Sequence, residues 1–179
     1  MASLENNIGI FGGTFDPPHK GHLKISKLGI RSFKLKKIYW VITKKNPSKK
    51  RSYYDISLRI KKCKLLIRKN KRIKLVYLEE KLGTNRIYKS VRYLKKTNKG
   101  KLFFFIGSDN LLKFHKWVNF KEIIKLCTIV VFSRKGFDKK ARKSNILKYL
   151  KKNNLIFANN KTIDISSSII RKKILKNGR

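Results

Sequence analysis

Short apolar runs alternate along the chain with amphipathic, lysine-rich segments, and this alternation predicts strands separated by helices. The apolar runs predict six strands, at residues 7–11, 38–43, 72–78, 101–107, 127–133 and 154–159. The amphipathic segments predict helices at residues 19–33, 53–68, 85–96 and 167–176. One further segment, 105–117, passes from a strand into a helix.

Strands that alternate with helices predict an α/β fold, because a helix is the usual crossover between parallel strands. Residues 102–106, Leu-Phe-Phe-Phe-Ile, are apolar without alternation, as expected for a strand that is covered on both faces. We therefore predict a mostly parallel sheet with helices on both faces, in a single domain over residues 1–179. In such sheets, ligands bind beyond the carboxyl ends of the strands, where the strand order reverses.

The composition is typical of a soluble protein with a hydrophobic core. The chain has 179 residues, of which 41% are hydrophobic, and this is enough for a core despite the charge. No stretch approaches the ~18 uninterrupted apolar residues of a membrane span, and the amino terminus lacks the pattern of a signal peptide. Cys63 and Cys127 have no metal-ligand spacing and are expected to be reduced, buried thiols. We predict a soluble cytoplasmic protein.

The formal net charge of +39 raises the possibility of nucleic-acid binding. Of the 48 basic residues, 37 are Lys and 11 are Arg, and they are spread over the whole chain. The chain is also rich in Ile, Asn, Phe and Tyr, a composition that an AT-rich genome favours. No recognition-helix, zinc-finger or RNA-binding pattern is present in the sequence. A basic nucleic-acid-binding protein stays an alternative, and binding that disappears at moderate salt would mark it as nonspecific.

The segment GGTFDPPHKGHL, residues 12–23, combines features of a phosphate-binding site. Gly12 and Gly13 follow the first predicted strand, where they are expected to form a sharp turn and to let the backbone approach a ligand closely. His19 and His22 lie three residues apart at the start of a predicted helix, so they share one helix face, and Gly21 between them keeps that surface low. Free N–H groups at a helix start favour anions. The pattern is neither G-x-G-x-x-G nor a Walker A loop, and a zinc site lacks a third ligand.

Two further segments carry candidate site residues. In ISSSIIRKKI, residues 165–174, three serines are candidate N-caps, and Arg171 follows one turn later, where its guanidinium can bind phosphate oxygens. In FIGSDNLLKFHKW, residues 105–117, Asp109 ends a strand and either holds ribose hydroxyls or caps a helix. Trp117 either stacks on an aromatic ligand or belongs to the core.

These segments carry a resemblance to a known family. Residues 12–23 resemble the signature GGxFDPxHxGHL of the nicotinate-nucleotide adenylyltransferases, which belong to the nucleotidyltransferase superfamily with the HxGH motif. Residues 165–171 resemble the family's ISSTxIR motif, with Ser168 in place of Thr, and Asp109 and Trp117 resemble its GxD…W arrangement. The resemblance covers nearly the whole chain. It implies a Rossmann-like nucleotidyltransferase fold and adenylyl transfer from ATP to nicotinate mononucleotide, giving deamido-NAD and pyrophosphate.

The resemblance also implies roles for individual residues. The implied catalytic residues are His19, His22, Thr14 and Arg171. The implied ATP-binding residues are Gly12, Gly13, Ser167, Ser168, Arg134 and Asp109. The implied mononucleotide-binding residues are Lys44, Asn46 and Trp117. Mg²⁺ is expected to arrive with ATP, without a metal ligand from a protein side chain.

The sequence departs from the family pattern near the expected pyridine end of the substrate. Arg86, Ile87 and Lys89 stand where the family usually has a Tyr-Thr-x-Asp-Thr stretch, and Val118 follows Trp117 where an aromatic residue is frequent. An adenylyltransferase for nicotinamide mononucleotide or phosphopantetheine therefore stays an alternative, and Trp117 argues against the latter. Arg86 is placed to pair with a nicotinate carboxylate. The sequence leaves open whether the protein is a monomer or a homo-oligomer.

Overall fold

The computed structural model describes residues 6–45, 51–151, 154–160 and 165–177. All six described strands lie in one parallel sheet with the order β3-β2-β1-β4-β5-β6. The strands are β1 (Ile8–Gly13), β2 (Lys37–Ile42), β3 (Ile73–Val76), β4 (Leu102–Gly107), β5 (Thr128–Phe132) and β6 (Leu155–Phe157). The order reverses between β1 and β4, and the carboxyl ends of these two strands form the place where such sheets bind ligands.

Helices connect successive strands, as the sequence predicts. They are α1 (Lys20–Ser32), α2 (Ile56–Ile67), α3 (Glu79–Leu82), α4 (Ile87–Thr97), α5 (Ser108–Phe114), α6 (Phe120–Leu126), α7 (Asp138–Ala141) and α8 (Ser167–Asn177), with a 3₁₀ helix at Asn145–Tyr149. None of the helices in the described part of the chain is long and apolar enough to cross a membrane.

The core has two halves, one on each face of the sheet, and β4 contributes to both. Leu102, Phe104 and Ile106 pack on one face with α4, α5 and α6. Phe103 and Phe105 pack on the other face with α1 and α2. The predicted α/β fold, a parallel sheet with helices on both faces, is therefore confirmed. The two cysteines are buried free thiols, also as predicted, and burial raises the pKa of each to about 12.

The prediction that Gly12 and Gly13 form the turn after β1 is wrong. Both glycines are the last residues of β1, and they lie opposite Val41 and Ile42 of β2. The strand continues through them because the Gly13 carbonyl also accepts the next N–H after β2, at 3.0 Å. The turn follows instead, at residues 14–18, where Phe15 has a φ of 46° and is 2% exposed.

The second helix begins later than the sequence predicts. The predicted start was Tyr53, whereas α2 begins at Ile56. The backbone of Asp55 is extended, with a ψ of 164°, so the helix starts after it. The backbone N–H groups of Tyr53 and Tyr54 donate to the two carboxylate oxygens of Asp16 at 2.7 and 2.9 Å, which holds this segment outside the helix. Asp55 then caps α2, its carboxylate accepting an N–H of the first turn at 2.7 Å.

Candidate active site

His19 and His22 lie side by side at the start of α1, beyond the carboxyl end of β1, with their ring planes tilted by 34°. His19 is the N-cap residue, and the centroids of the two imidazole rings are 3.7 Å apart. The backbone N–H of His19 donates to Nδ1 of His22 at 3.1 Å. Because Nδ1 of His22 is an acceptor, the proton of the neutral ring is on Nε2, which is then a hydrogen-bond donor.

Aromatic side chains surround His22. Its ring centroid lies 4.9 Å from that of Phe15, 5.6 Å from that of Phe11 and 5.9 Å from that of Trp40. The indole N–H of Trp40 donates to Oγ of Ser26 at 2.8 Å, and this hydroxyl donates to the carbonyl of His22 at 2.9 Å. The aromatic residues thus shield the half-buried imidazole from water on one side and hold helix α1 against β2.

Burial keeps both imidazoles neutral in the free protein. It lowers the pKa of His19 from 6.5 to about 4, with a smaller contribution from the positive charge of Arg134. The pKa of His22 is lowered well below 6.5, first by burial, then by His19 and by Arg134. At neutral pH, the pair therefore offers N–H donors rather than positive charge.

The depressed pKa of His19 predicts a stability that decreases in acid. The unfolded chain takes up a proton near pH 6.5, whereas folded His19 does so only near pH 4. The free energy of unfolding should therefore fall as the pH decreases between these values, by up to about 3 kcal/mol from this residue. Urea unfolding at several pH values should show a smaller decrease for His19→Gln than for the unchanged protein, and equal decreases would contradict the assignment.

Gly21, in the first turn of α1, lies between the ring of His19 and the segment before α8. A Cβ built on it would be 2.8 Å from Nδ1 of His19 and 2.7 Å from Cγ2 of Ile165. Real Cβ atoms do not approach other atoms so closely, so any larger residue must displace one of these groups. The absence of a side chain here lets the residues before α8 lie against the histidine pair, and the predicted low surface is confirmed.

Helix α8 docks on the loop that precedes His19. The Ser167 hydroxyl donates to the Pro17 carbonyl at 2.9 Å. The Arg171 guanidinium donates to the backbone carbonyl of Asp16, and it lies 3.9 Å from the Asp16 carboxylate. It also donates to Oγ of Ser168 at 3.0 Å. The first and last sequence motifs, 150 residues or more apart along the chain, therefore form one site.

Asp109 lies in the first turn of α5 rather than at the end of β4, and it pairs with Arg134, which follows β5. Nη1 of Arg134 lies 2.9 Å from Oδ2 of Asp109, and each side chain is about a quarter exposed. The backbone N–H of Arg134 donates to Oγ of Ser108 at 3.0 Å and to Oδ1 of Asp138 at 3.1 Å. Both residues follow the carboxyl ends of parallel strands, so they lie at the same edge of the sheet as the histidine pair, where the charge of Arg134 contributes to the lowered pKa of both histidines.

The residues predicted to bind the mononucleotide are less closely grouped. Lys44 is exposed just after β2, and its backbone N–H donates to Oε2 of Glu79 at 3.0 Å. It lines an open cavity of ≈ 420 Å³ together with residues of α3 and of the segment before α4. Asn46 lies outside the described residues. Trp117 packs edge-on against Phe104 and Phe114, on the face of the sheet opposite the aromatic cluster around His22.

The departures from the family pattern lie close to β1. Cδ1 of Ile87, at the start of α4, lies 3.1 Å from the position of a Cβ on Gly12. Arg86 precedes this helix, and its backbone N–H donates to Oγ1 of Thr84 at 3.3 Å. Val118 is 46% exposed. The start of α4 therefore adjoins the glycines of β1, near the end of the strand that carries the site.

Sequence reasoning missed two buried charged residues that shape the site. Asp16, 4% exposed, joins the loop before α2 and helix α8 to the loop before His19. Arg59, 1% exposed, lies inside α2 and donates to backbone carbonyls around the ends of β1 and β2. A signal for each was present. Asp16 is one of nine acidic residues, and Arg59 shares a helix face with Cys63 and Ile67.

The strand order is that of a Rossmann-like sheet, and the histidine pair at the start of α1, with Arg171 docked on the preceding loop, is the arrangement expected of a nucleotidyltransferase. The sequence comparison agrees, because the cytidylyltransferase-like family model matches residues 10–173. The chain belongs to this family.

Curated relatives place the chain among the nicotinate-nucleotide adenylyltransferases of that family. The chain is 46% identical to a probable nicotinate-nucleotide adenylyltransferase of Pelagibacter ubique, over 96% of this chain and 99% of the relative. It is 36% identical to a protein of the same name from Clostridium acetobutylicum, over 94% of this chain and 86% of the relative.

Solved structures confirm the fold. The nicotinic acid mononucleotide adenylyltransferase of Plasmodium falciparum, solved in complex with NaAD, aligns with a TM-score of 0.72 at 22% identity. The alignment covers 93% of this chain and 83% of that one. At this level of identity, the likeness concerns the fold, and it confirms the Rossmann-like nucleotidyltransferase architecture.

Proposed function

We propose that this enzyme transfers the adenylyl group of ATP to nicotinate mononucleotide, giving deamido-NAD and pyrophosphate in the biosynthesis of NAD. The proposal depends mainly on one observation: His19, His22 and Arg171 all lie at or beside the loop that joins β1 to α1, beyond the sheet. The names of the curated relatives support the choice of acceptor.

The chemistry requires little from the protein except positioning and charge stabilisation. A phosphate oxygen of the mononucleotide attacks the α-phosphorus of ATP, and the bond from that phosphorus to the bridging oxygen of pyrophosphate breaks. The attacking oxygen is already an anion, so no protein base or nucleophile is needed. Catalysis then depends on aligning the two substrates and on donors that meet the charge of the transition state.

The neutral histidine pair suits the role of such donors. Nε2 of His22 carries the proton, because Nδ1 accepts the backbone N–H of His19. Nδ1 of His19 is buried beside Gly21, so Nε2 is the nitrogen of this ring that we propose to meet a ligand. In our proposal, both imidazoles donate to the phosphate oxygens whose charge grows during transfer, and Thr14 orients the same phosphates.

The ATP side of the proposed site consists of α8, Arg134 and Asp109. Arg171 and the serines at the start of α8 bind the leaving pyrophosphate, because a guanidinium and a helix start both favour phosphate oxygens. The Ser167 hydroxyl already donates to Pro17, so Ser167 contributes to the site chiefly through its backbone. In our proposal, ATP lies beyond the end of β1, which Gly12 and Gly13 form. The Arg134–Asp109 pair supplies a cation for phosphate and a carboxylate for ribose hydroxyls.

The mononucleotide side of the proposed site lies beyond β2. Lys44 adjoins the cavity of ≈ 420 Å³ and is placed to bind the mononucleotide phosphate, with Asn46 from the same loop. In our proposal, the exposed face of Trp117 stacks on the pyridine ring.

Mg²⁺ is proposed to arrive with ATP. Within residues 6–45, 51–151, 154–160 and 165–177, no group of three or more His, Cys, Asp or Glu side chains could hold a metal ion. This donor set fits an ion that is bound by the phosphates of ATP and by water, as Mg²⁺ usually is in nucleotide enzymes. When bound, Mg²⁺ would neutralise phosphate charge.

A direct assay tests the proposed reaction and its acceptor. Pyrophosphate release from ATP should be fastest with nicotinate mononucleotide, and slower with nicotinamide mononucleotide and with phosphopantetheine. Higher kcat/KM with either alternative acceptor would overturn the assignment of the substrate. Release with none of the three acceptors would overturn adenylyl transfer itself.

A further inference from the structure

Arg59 is a fully buried cation in a protein whose other basic residues are mostly exposed. It lies in the middle of α2, and 1% of its surface is exposed. Cys63 and Ile67 follow it at intervals of four residues on the same buried face of the helix. A guanidinium is costly to bury unless its donors are all satisfied, so its surroundings call for an explanation.

The guanidinium of Arg59 makes five hydrogen bonds, and every acceptor is a backbone carbonyl. Nε donates within the start of α2, to Tyr54 and Asp55 at 3.1 and 3.2 Å. Nη1 donates to the carbonyl of Thr14 at 2.7 Å and to that of Thr43 at 2.9 Å. Nη2 donates to the carbonyl of Lys44 at 2.7 Å.

These bonds join two loops near the ends of β1 and β2. The Asp16 carboxylate links the same two loops further along, through the backbone N–H groups of Tyr53 and Tyr54. Thr14 begins the loop between β1 and the histidine pair, whereas Thr43 and Lys44 begin the loop between β2 and α2. Nη1 binds one carbonyl from each loop at once. Arg59 is therefore a clamp between the loop of the predicted phosphate donors and the loop of the predicted mononucleotide site.

Only a guanidinium can make this set of contacts. Its planar fork sends donors in several fixed directions, whereas a lysine ammonium offers three donors from one point. Burial lowers the pKa of Arg59, and the carboxylates of Asp16, Asp55 and Glu79 oppose that change. The charge is thus retained without an ion pair that would pull the guanidinium away from the carbonyls.

We propose that Arg59 is a positioning residue for adenylyl transfer, which fixes the separation of the two loops and so aligns the mononucleotide phosphate with the α-phosphorus of ATP. The inference rests on the proposed function. Arg59 touches neither substrate in this role. Its effect should appear in the rate of transfer between two bound substrates, because a misplacement of about 1 Å can cost ~10²-fold in rate.

The test compares Arg59→Lys with two controls. Arg72→Lys is the matched arginine control, because Arg72 also donates to backbone carbonyls, those of Leu35 and Lys36, but at the opposite end of β2. Ile123→Ala is the stability control, because it removes a fully buried side chain from α6. Steady-state kinetics, ATP binding by calorimetry and thermal unfolding are measured for each, at a temperature where all are folded.

We expect Arg59→Lys to lose about 10²-fold in kcat, with the Kd for ATP and the KM for the mononucleotide each within about threefold of the original values. Both controls should keep kcat, even where Ile123→Ala is the less stable protein. A kcat for Arg59→Lys within threefold of that of the unchanged enzyme would overturn the proposal. A loss of activity that is explained entirely by weaker ATP binding would also overturn it. If the unchanged enzyme shows no turnover, the proposed function itself is refuted.

A measurement on the unchanged enzyme covers the case in which Arg59→Lys does not fold. With ¹⁵N-labelled arginine, one guanidinium among the eleven should show slow exchange of its Nη protons with solvent, with and without ATP. Fast exchange of all eleven in either state would show that the clamp does not persist, and would overturn the proposal.

Discussion

Replacement of His22 by alanine is expected to lower kcat by about 10²–10³, the usual cost of removing one preorganised donor from a transition state. The imidazole is held by the His19 backbone and by a surrounding set of aromatic rings, so its Nε2 proton has a fixed direction. Because that donor acts on charge that develops during transfer, KM for both substrates should change much less than kcat. Pyrophosphate release at saturating substrate measures the effect.

A second variant separates the loss of the Nε2 donor from the loss of the hydrogen bond that Nδ1 accepts at the start of α1. Alanine also removes the acceptor for the His19 backbone N–H, and loss of such a cap costs ~1 kcal/mol. His22→Asn keeps an oxygen near the position of Nδ1 but does not reach as far as Nε2. We expect it to keep most of the stability and to be as slow as His22→Ala. Near-normal turnover in His22→Asn would show that His22 acts through the cap alone.

Gly21→Ala is expected to lower kcat by about 10²-fold without a matching loss of stability. Its Cβ would lie 2.8 Å from Nδ1 of His19 and 2.7 Å from Cγ2 of Ile165, so the imidazole or the segment before α8 must move. Gly21 is the second residue of α1, so alanine gains only part of the roughly 0.5–1 kcal/mol that it has over glycine in a helix interior, and this gain offsets part of the strain. Kinetics and urea unfolding on the same samples measure the two effects.

The matched control for this variant is Lys27→Ala, because Lys27 is an exposed residue of the same helix. We expect it to leave both turnover and unfolding close to those of the original protein. If Gly21→Ala retains full kcat, the close approach of His19 and the C-terminal segment has no catalytic role.

The sequence predicted most of the fold, because continuous apolar strands and intervening amphipathic segments leave few alternatives to a parallel sheet. Errors arose where tertiary contacts decide an element's end. The start of α2 depends on the carboxylate of Asp16, which is 37 residues away from Tyr53 along the chain. The extension of β1 through Gly13 depends on pairing with β2. Short elements such as α3 and α7, four residues each, gave no periodicity to detect.

The candidate site was predictable only where residues form a motif. His19 and His22 fall in one short segment, and the pattern of that segment placed them on a shared helix face. Arg59 belongs to no such segment, and its role depends on three carbonyls that only the folded chain brings together. One cation on the apolar face of a lysine-rich helix was visible in the sequence, but its partners were not.

The docking of α8 on the loop before His19 has a consequence for biosynthesis. Asp16 and Pro17 are made early, whereas Ser167 and Arg171, which bind them, are translated 150 residues or more later. A ribosome-bound chain that lacks this helix can form much of the sheet but has no complete pocket. Newly made protein would therefore consume no ATP until synthesis has passed residue 171 and the helix has emerged from the exit tunnel.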